Sequence, residues 1–168
     1  FQNNIWGEGD YYFSAYPSNW GWASWARAWK CYDDKLAQVE HFINTPRFTA
    51  LIADSAQRRY WVRFYRALRS GKYTFWDSKW VLSIWAADGL AVAPNQNMVK
   101  NIGFGGDATH PKHDQSRLQR EIRRPIFPLR HPHADLAPRL AADKAHFEII
   151  YKPRLRARLK HLRSRLFD

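Results

Sequence analysis

A glycine-rich segment in the middle of the chain combines residue types from which ligand sites are built. Residues 101–110 read NIGFGGDATH, in which Gly103, Gly105 and Gly106 are followed by an aspartate and a histidine. Glycine lets the backbone adopt positive φ angles or approach a ligand closely, and an imidazole can bind a metal ion. Glycine-rich turns are common, however, and this one lacks the Lys and Ser/Thr of a phosphate loop. The segment therefore indicates a ligand site only in combination with the blocks that accompany it.

Two tryptophan-rich blocks precede the glycine segment. Residues 20–25 read WGWASW and residues 74–80 read TFWDSKW, in a chain of 168 residues that contains nine tryptophans. Large aromatic rings fill protein cores, and when exposed they offer flat surfaces for ligands. Both roles are open for these blocks from the sequence alone.

The order of the three blocks resembles the carboxyl-terminal half of a bacterial, family-2-like nucleotide-diphospho-sugar glycosyltransferase, a group often described as hemolytic-protein-like. The resemblance covers residues 3–110 well and residues 125–132 (PIFPLRHP) weakly. It implies an α/β fold of the GT-A type, Rossmann-like and helix-rich, of which this chain would be the acceptor-side half. It also implies inverting transfer of a sugar from a nucleotide-diphospho-sugar donor to a glycan or lipid-linked acceptor of the cell envelope.

The resemblance assigns chemical roles to two residues. Asp77, directly after Trp76, stands where the family has the base that deprotonates the acceptor hydroxyl. An aspartate at a helix start is also an ordinary N-cap, so this alternative remains. His110 stands where the family has a histidine that contacts the metal or the diphosphate. Asp107 is a candidate for orienting His110, and capping of a turn is an equal alternative for it. A histidine satisfied at the surface or in the core is the alternative for His110.

Substrate contacts are expected from the aromatic and glycine positions. Gly21 would leave room for a sugar or acceptor to approach the backbone, with Trp20 or Trp22 stacked on an apolar face of the sugar, and Trp76 is expected to bind substrate as well. Gly103, Gly105 and Gly106 would likewise leave room for the diphosphate. The alternative for Gly21 is tight packing between its bulky neighbours.

The acidic DXD-like metal motif of the family is absent from this sequence. Asp33–Asp34 is the one adjacent carboxylate pair, and it follows the tryptophan block rather than preceding it. Because the chain begins at Phe1, we expect a fragment that starts downstream of the nucleotide-binding half and is inactive alone. The divalent metal, manganese or magnesium, is expected only when that half is present.

The composition helps to weigh the functions other than glycosyl transfer. The net charge is +12, and the basic excess lies mostly in residues 111–168, which hold 15 Lys+Arg against 6 Asp+Glu. Arginine and aromatic residues together suit nucleic acid, but no recognisable nucleic-acid-binding motif occurs, so that function is disfavoured. A non-catalytic interaction domain is the stronger alternative. The single cysteine, Cys31, and the lack of a long apolar run favour a cytoplasmic protein, peripheral on the inner membrane if it associates at all.

The sequence also predicts the elements and their grouping. The spacing of Trp22, Trp25, Trp29 and Tyr32 indicates one face of a helix from Gly21, and a core stripe is favoured over the lining of a cleft. The apolar spacing also indicates a strand at 11–13, a helix capped by Asp54 and ended by Gly71, and a helix from Asp77 to a stop at Gly89. A short buried strand is expected at 90–93 and another strand at 98–102. Helices are expected at about 135–150 and 153–167, the last of them basic and amphipathic. The predicted units are 1–110 for the acceptor side, 111–134 for a Pro/His-rich connector and 135–168 for a basic helical tail.

Overall fold

The computed structural model describes residues 5–99, 127–132 and 136–151. In chain order, the elements are β1 (Tyr11–Ser14), α1 (Ala26–Trp29), α2 (Ala37–Phe42), α3 (Pro46–Leu51), α4 (Ser55–Arg69), α5 (Trp76–Ala86), β2 (Ala91–Pro94) and α6 (Leu140–Ile150). None of the helices in these ranges has the length and apolar character needed to cross a bilayer.

Strands β1 and β2 form an antiparallel pair, with Tyr11 opposite Pro94 and Ser14 opposite Ala91. The strands predicted at 11–13 and 90–93 are thereby confirmed. The expected burial of the second strand is wrong, because Val92 is 50% exposed. Residues 98 and 99 are irregular, and the rest of the strand predicted at 98–102 lies outside the described ranges.

Helix α4 begins and ends where its sequence signals indicate. The Asp54 carboxylate accepts a hydrogen bond from the Gln57 backbone nitrogen at 2.8 Å, as an N-cap does. Gly71, one residue past the Ser70 C-cap, has φ of +75°, which glycine adopts without steric cost. The face predicted to be apolar is buried, and its members are Trp61, Phe64, Tyr65 and Leu68.

Helix α5 ends in a Schellman turn next to Gly89, its predicted stop. Asp88, rather than Gly89, has a positive φ, of +59°. The Gly89 nitrogen donates to the Ile84 carbonyl at 2.8 Å, and the Asp88 nitrogen donates to the Trp85 carbonyl at 3.2 Å. Glycine is still favoured at position 89, because a Cβ there would lie 2.9 Å from Ile84 Cγ2.

The helix predicted from Gly21 is wrong in its extent. The structure has only the four-residue helix α1, and Trp20 to Ser24 are irregular. Gly21 has φ of +57°, which is incompatible with a right-handed helix, and Trp25 at the N-cap supplies no side-chain hydrogen bond. A short segment without a cap gains too few hydrogen bonds to offset helix nucleation.

The core is built mainly from aromatic side chains of α4 and α5 and from the residues that follow β1. Trp61 and Trp85, both almost fully buried, contact each other with ring centroids 4.8 Å apart. Helices α2 and α3, which are not among the predicted elements, contribute Val39, Phe42 and Phe48 to the same core.

Helix α6 completes this core and confirms the helix predicted at about 135–150, although it begins only at Leu140. Its Phe147 is buried among the core residues. Its Asp143 accepts hydrogen bonds from Ser14 Oγ at 2.6 Å and from the Ala15 nitrogen at 3.0 Å. The described part of the predicted basic tail thus packs on the end of β1. The helix predicted at 153–167 lies outside the described residues.

The GT-A-type, Rossmann-like fold class and the division into three units stay predictions. The part of the chain that the structure describes holds six helices and one two-stranded sheet.

Candidate functional site

Four tryptophan rings, three from the two tryptophan-rich blocks and one from α1, lie together at the start of α5, and we call them the aromatic platform: Trp22, Trp29, Trp76 and Trp80. The Trp22 ring centroid lies 5.8 Å from that of Trp76 and 6.0 Å from that of Trp80. The Trp29 ring contacts Trp80 at 5.0 Å. The two tryptophan-rich blocks, which are separate in sequence, therefore contact each other through individual rings.

The platform is anchored on one side and open on the other. Trp80 is buried, whereas Trp29 is 44% and Trp76 is 45% exposed. Tyr32 stacks on Trp29 with a centroid distance of 4.9 Å and an interplanar angle of 10°, which limits the motion of that ring. Contiguous exposed aromatic surface on a folded chain marks interaction sites more often than chance. Its flat apolar faces suit the C–H face of a sugar ring.

Asp77 lies in the first turn of α5, next to the platform residue Trp76. Its Oδ2 accepts a hydrogen bond from Asn19 Nδ2 at 3.1 Å, and its Oδ1 accepts one from the Ser78 backbone nitrogen at 2.8 Å. The carboxylate thus satisfies one of the free amides at the helix start, close to the positive end of the helix dipole. The N-cap position itself belongs to Phe75, so Asp77 is not the cap that the alternative interpretation proposed.

An ion pair borders the same helix turn. Lys79 Nζ lies 2.7 Å from Asp34 Oδ1, and the Lys79 side chain is only 15% exposed. The hydrogen bond from Lys79 holds the pKa of Asp34 below its usual range. Burial is the main cause that raises the pKa of the nearby Tyr32 hydroxyl. Asp34 is therefore a charged neighbour of the platform, held by Lys79.

Its neighbour Asp33 has a structural role. The Asp33 carboxylate accepts hydrogen bonds from the backbone nitrogens of Lys35 and Gln38, both at 3.0 Å. Its own backbone nitrogen donates to Ser83 Oγ at 3.0 Å. These bonds connect the loop after α1 to α5, and they account for both oxygens of Asp33 without a ligand.

The predicted substrate residues at the first block have different surroundings. Trp20 is 40% exposed. Gly21 has a positive φ, and a Cβ added to it would lie 2.6 Å from Cγ2 of Val99. The space at Gly21 is therefore occupied by a side chain of the protein, which favours the packing role for this glycine.

The remaining predicted site residues lie outside the described ranges: Gly103, Gly105, Gly106, Asp107 and His110. The roles expected for His110 and for the three glycines stay predictions. Among the described residues, no group of three or more His, Cys, Asp or Glu side chains could hold a metal ion. His131, the described member of the histidines around the connector, pairs its Nδ1 with Tyr11 Oη at 2.8 Å.

Several members of this site were not singled out as functional from the sequence. Asn19, Asp34 and Lys79 come from three separate segments, and no local pattern connects them. Trp29 and Tyr32 did carry a signal, because their spacing from Trp22 aligned them on one face. This spacing, however, favours the buried stripe of a helix over an exposed ring surface.

Comparisons with known proteins add no assignment: no protein family, curated protein or solved structure matches this chain.

Proposed function

We propose that this chain is the acceptor side of a sugar-nucleotide-dependent glycosyltransferase. The observation that carries the proposal is the Asp77 carboxylate, held by Asn19 beside the half-exposed aromatic platform. A sugar stacked on Trp76 would bring its hydroxyl groups toward the turn that bears this carboxylate. A positioned base next to an apolar stacking surface is the arrangement that transfer to a saccharide hydroxyl requires.

In the proposed reaction, Asp77 removes the proton of the acceptor hydroxyl while that oxygen attacks the anomeric carbon of the donor. The bond between the anomeric carbon and the diphosphate oxygen breaks, and the nucleoside diphosphate leaves with the bonding pair. Asn19 orients the carboxylate through Oδ2. The acceptor is a glycan or lipid-linked saccharide, and such an enzyme would work in the cytoplasm, at the inner membrane when its acceptor is lipid-linked.

A divalent manganese or magnesium ion would neutralise the leaving diphosphate in such an enzyme. The described residues do not offer a complete set of ligands for it. From this chain, only His110 is proposed as a ligand, and the carboxylates must come from a nucleotide-binding region with an acidic metal motif. We therefore derive no step through the metal from the described residues.

The test is an Asp77→Asn substitution in the complete protein, with its nucleotide-binding region. Release of nucleoside diphosphate from a panel of UDP- and GDP-sugars is measured with saccharide acceptors. Turnover should fall on the order of 10²–10⁴-fold, because the amide cannot accept the proton, while donor binding is retained. Asp88→Asn is the matched control: it removes a carboxylate just past the other end of α5, where asparagine tolerates the positive φ.

A non-catalytic carbohydrate-binding domain is the second candidate, and the half-exposed aromatic platform is the observation that favours it. Asp77→Asn together with Trp76→Ala separates the two functions. If Asp77→Asn leaves turnover unchanged, or no sugar nucleotide is consumed, the catalytic proposal fails. If Trp76→Ala then still abolishes glycan binding, the binding function remains.

A further inference from the structure

Helix α4 presents a row of cations along its outer side. The helix contains five arginines and no acidic residue. Four of the arginines lie at helical spacings of three or four residues and are exposed, and we call them the arginine face: Arg59, Arg63, Arg66 and Arg69. With a rise of 1.5 Å per residue, the row is about 15 Å long.

No ion pair among the described residues compensates the charge of the arginine face. The three ion pairs found among the described residues join Arg47 to Asp88, Lys79 to Asp34 and Arg130 to Asp10, so none uses these four arginines. The fifth arginine, Arg58, donates to the carbonyls of Ile52 and Ala53 and is thereby committed to the end of α3.

Two shallow grooves run beside the arginine face, with volumes of about 270 and 420 Å³. The partly buried apolar side chains Ile43 and Val62 line both of them. Of the groove-lining residues, Glu40 is the acidic one, and it lies at the end near Arg66 and Arg69. Most of the arginine face therefore combines exposed guanidinium groups with apolar side chains in the adjoining grooves.

We propose that the arginine face docks this chain on an anionic phospholipid surface. Guanidinium groups pair well with phosphate oxygens, and cations next to apolar side chains are typical of surfaces that bind at the membrane interface. The inference goes beyond the proposed function, because the residues lining the grooves include none of the aromatic platform.

Nucleic acid is the less suitable polyanion for this surface. Proteins that bind single strands combine cations with exposed aromatic rings on which the bases stack. The aromatic side chains that line the grooves are Phe48 and Tyr65, and both are buried. The exposed tryptophans belong to the separate surface around the aromatic platform.

The test is co-sedimentation of the 168-residue chain with phosphatidylcholine vesicles that contain or lack phosphatidylglycerol. The triple variant Arg59→Gln, Arg63→Gln, Arg66→Gln should lower the partition coefficient onto anionic vesicles by on the order of 10–100-fold, because each nearby cation favours binding. The matched control, Lys30→Gln, Lys35→Gln, Lys144→Gln, removes the same charge from exposed positions off α4. It should change the coefficient less than about threefold.

A third variant, with lysine at positions 59, 63 and 66, keeps the charge and should bind like the original chain. Thermal unfolding of every variant, followed by tryptophan fluorescence, shows whether the fold is intact. If the glutamine variant is unstable, the lysine variant provides the test, and loss of its binding to anionic vesicles would overturn the proposal. Equal losses in the arginine and control triples would overturn the proposal, since net charge alone would then explain binding. Equal binding to vesicles without phosphatidylglycerol would overturn it as well, as would binding to a single-stranded oligonucleotide but not to vesicles.

Discussion

At the scale of single residues, Gly21 shows how a glycine that resembles a ligand-site residue can be required by packing. Its φ of +57° is unfavourable for any residue with a Cβ, and the Val99 side chain fills the position that a Cβ would need. Gly71 also has a positive φ, of +75°, but nothing lies within 4 Å of its missing Cβ. A comparison of Gly21 with Gly71 therefore separates the cost of the left-handed backbone from the cost of a steric conflict.

We expect Gly21→Ala to lower the free energy of unfolding by more than Gly71→Ala does. The Gly71 variant should lose roughly 1–2 kcal/mol from the left-handed backbone alone, whereas the Gly21 variant adds the conflict with Val99. Urea denaturation measures both. Adding Val99→Ala to Gly21→Ala should reduce the difference, and a strictly additive double variant would show that Val99 is not what position 21 meets.

At the scale of elements, α6 is held in place by polar groups as well as by apolar burial. Asp143 accepts from Ser14 and Ala15, yet burial outweighs these hydrogen bonds and raises the pKa of its carboxyl group. One turn later, the His146 ring stacks on Tyr16 with centroids 5.1 Å apart. Burial lowers the pKa of His146 to about 4. The docking of α6 therefore requires a neutral imidazole.

This lowered pKa predicts acid sensitivity of the fold. Above pH 6.5, the imidazole is neutral in the folded and unfolded chains, and the fold has its full stability. As the pH falls from 6.5 to about 4, only the unfolded chain takes up the proton, so up to about 3 kcal/mol is lost. Asp143 acts in the opposite direction, because its raised pKa lets the folded chain bind a proton first.

The measurement is the urea-unfolding free energy of the chain and of His146→Phe between pH 7.5 and 4.5. Phenylalanine keeps the stacking on Tyr16 without a titrating group, so the variant should lose less stability on acidification. His41→Phe, which replaces an exposed histidine on α2, is the control for the loss of an imidazole group. Parallel pH profiles for the original chain and His146→Phe would contradict the assignment.

At the scale of the whole molecule, Tyr16 connects the elements. Its ring contacts Trp61 of α4, Trp85 of α5 and His146 of α6. Its hydroxyl accepts a hydrogen bond from Trp61 Nε1 at 3.2 Å and donates to Gln57 Oε1 at 3.4 Å. The side chain is 2% exposed, and burial raises the pKa of its hydroxyl group. The buried Tyr16 side chain therefore contacts three helices that are far apart in the sequence.

We expect Tyr16→Phe to destabilise the whole chain by about 1–3 kcal/mol, because the Trp61 indole N–H is left buried without its acceptor. Since Tyr16 contacts three helices, unfolding followed by tryptophan fluorescence and by far-ultraviolet circular dichroism should shift together. Tyr11→Phe, which changes a less buried hydroxyl on β1, should cost less. Transitions that separate in the Tyr16 variant would show that the elements do not depend on this contact.

The sequence by itself determined the elements whose signals are local. The Asp54 cap, the buried stripe of α4, the end of α4 at Gly71 and the strands around Phe13 and Ala93 follow from neighbouring residues, and the structure confirms them. The glycosyltransferase resemblance and the roles of Asp77 and His110 stay predictions.

Only the tertiary structure decided what depends on contacts between distant segments. Trp22 and Trp29 were predicted on one helix, but only Ala26–Trp29 is helical. The Trp22 ring instead lies beside the rings of Trp29 and Trp76, with centroid distances of 6.0 and 5.8 Å. The Asn19–Asp77 and Asp34–Lys79 contacts join residues 58 and 45 positions apart. Side-chain spacing along a helix predicts which residues share a face, whereas the partner of that face is set by packing the whole chain into one core.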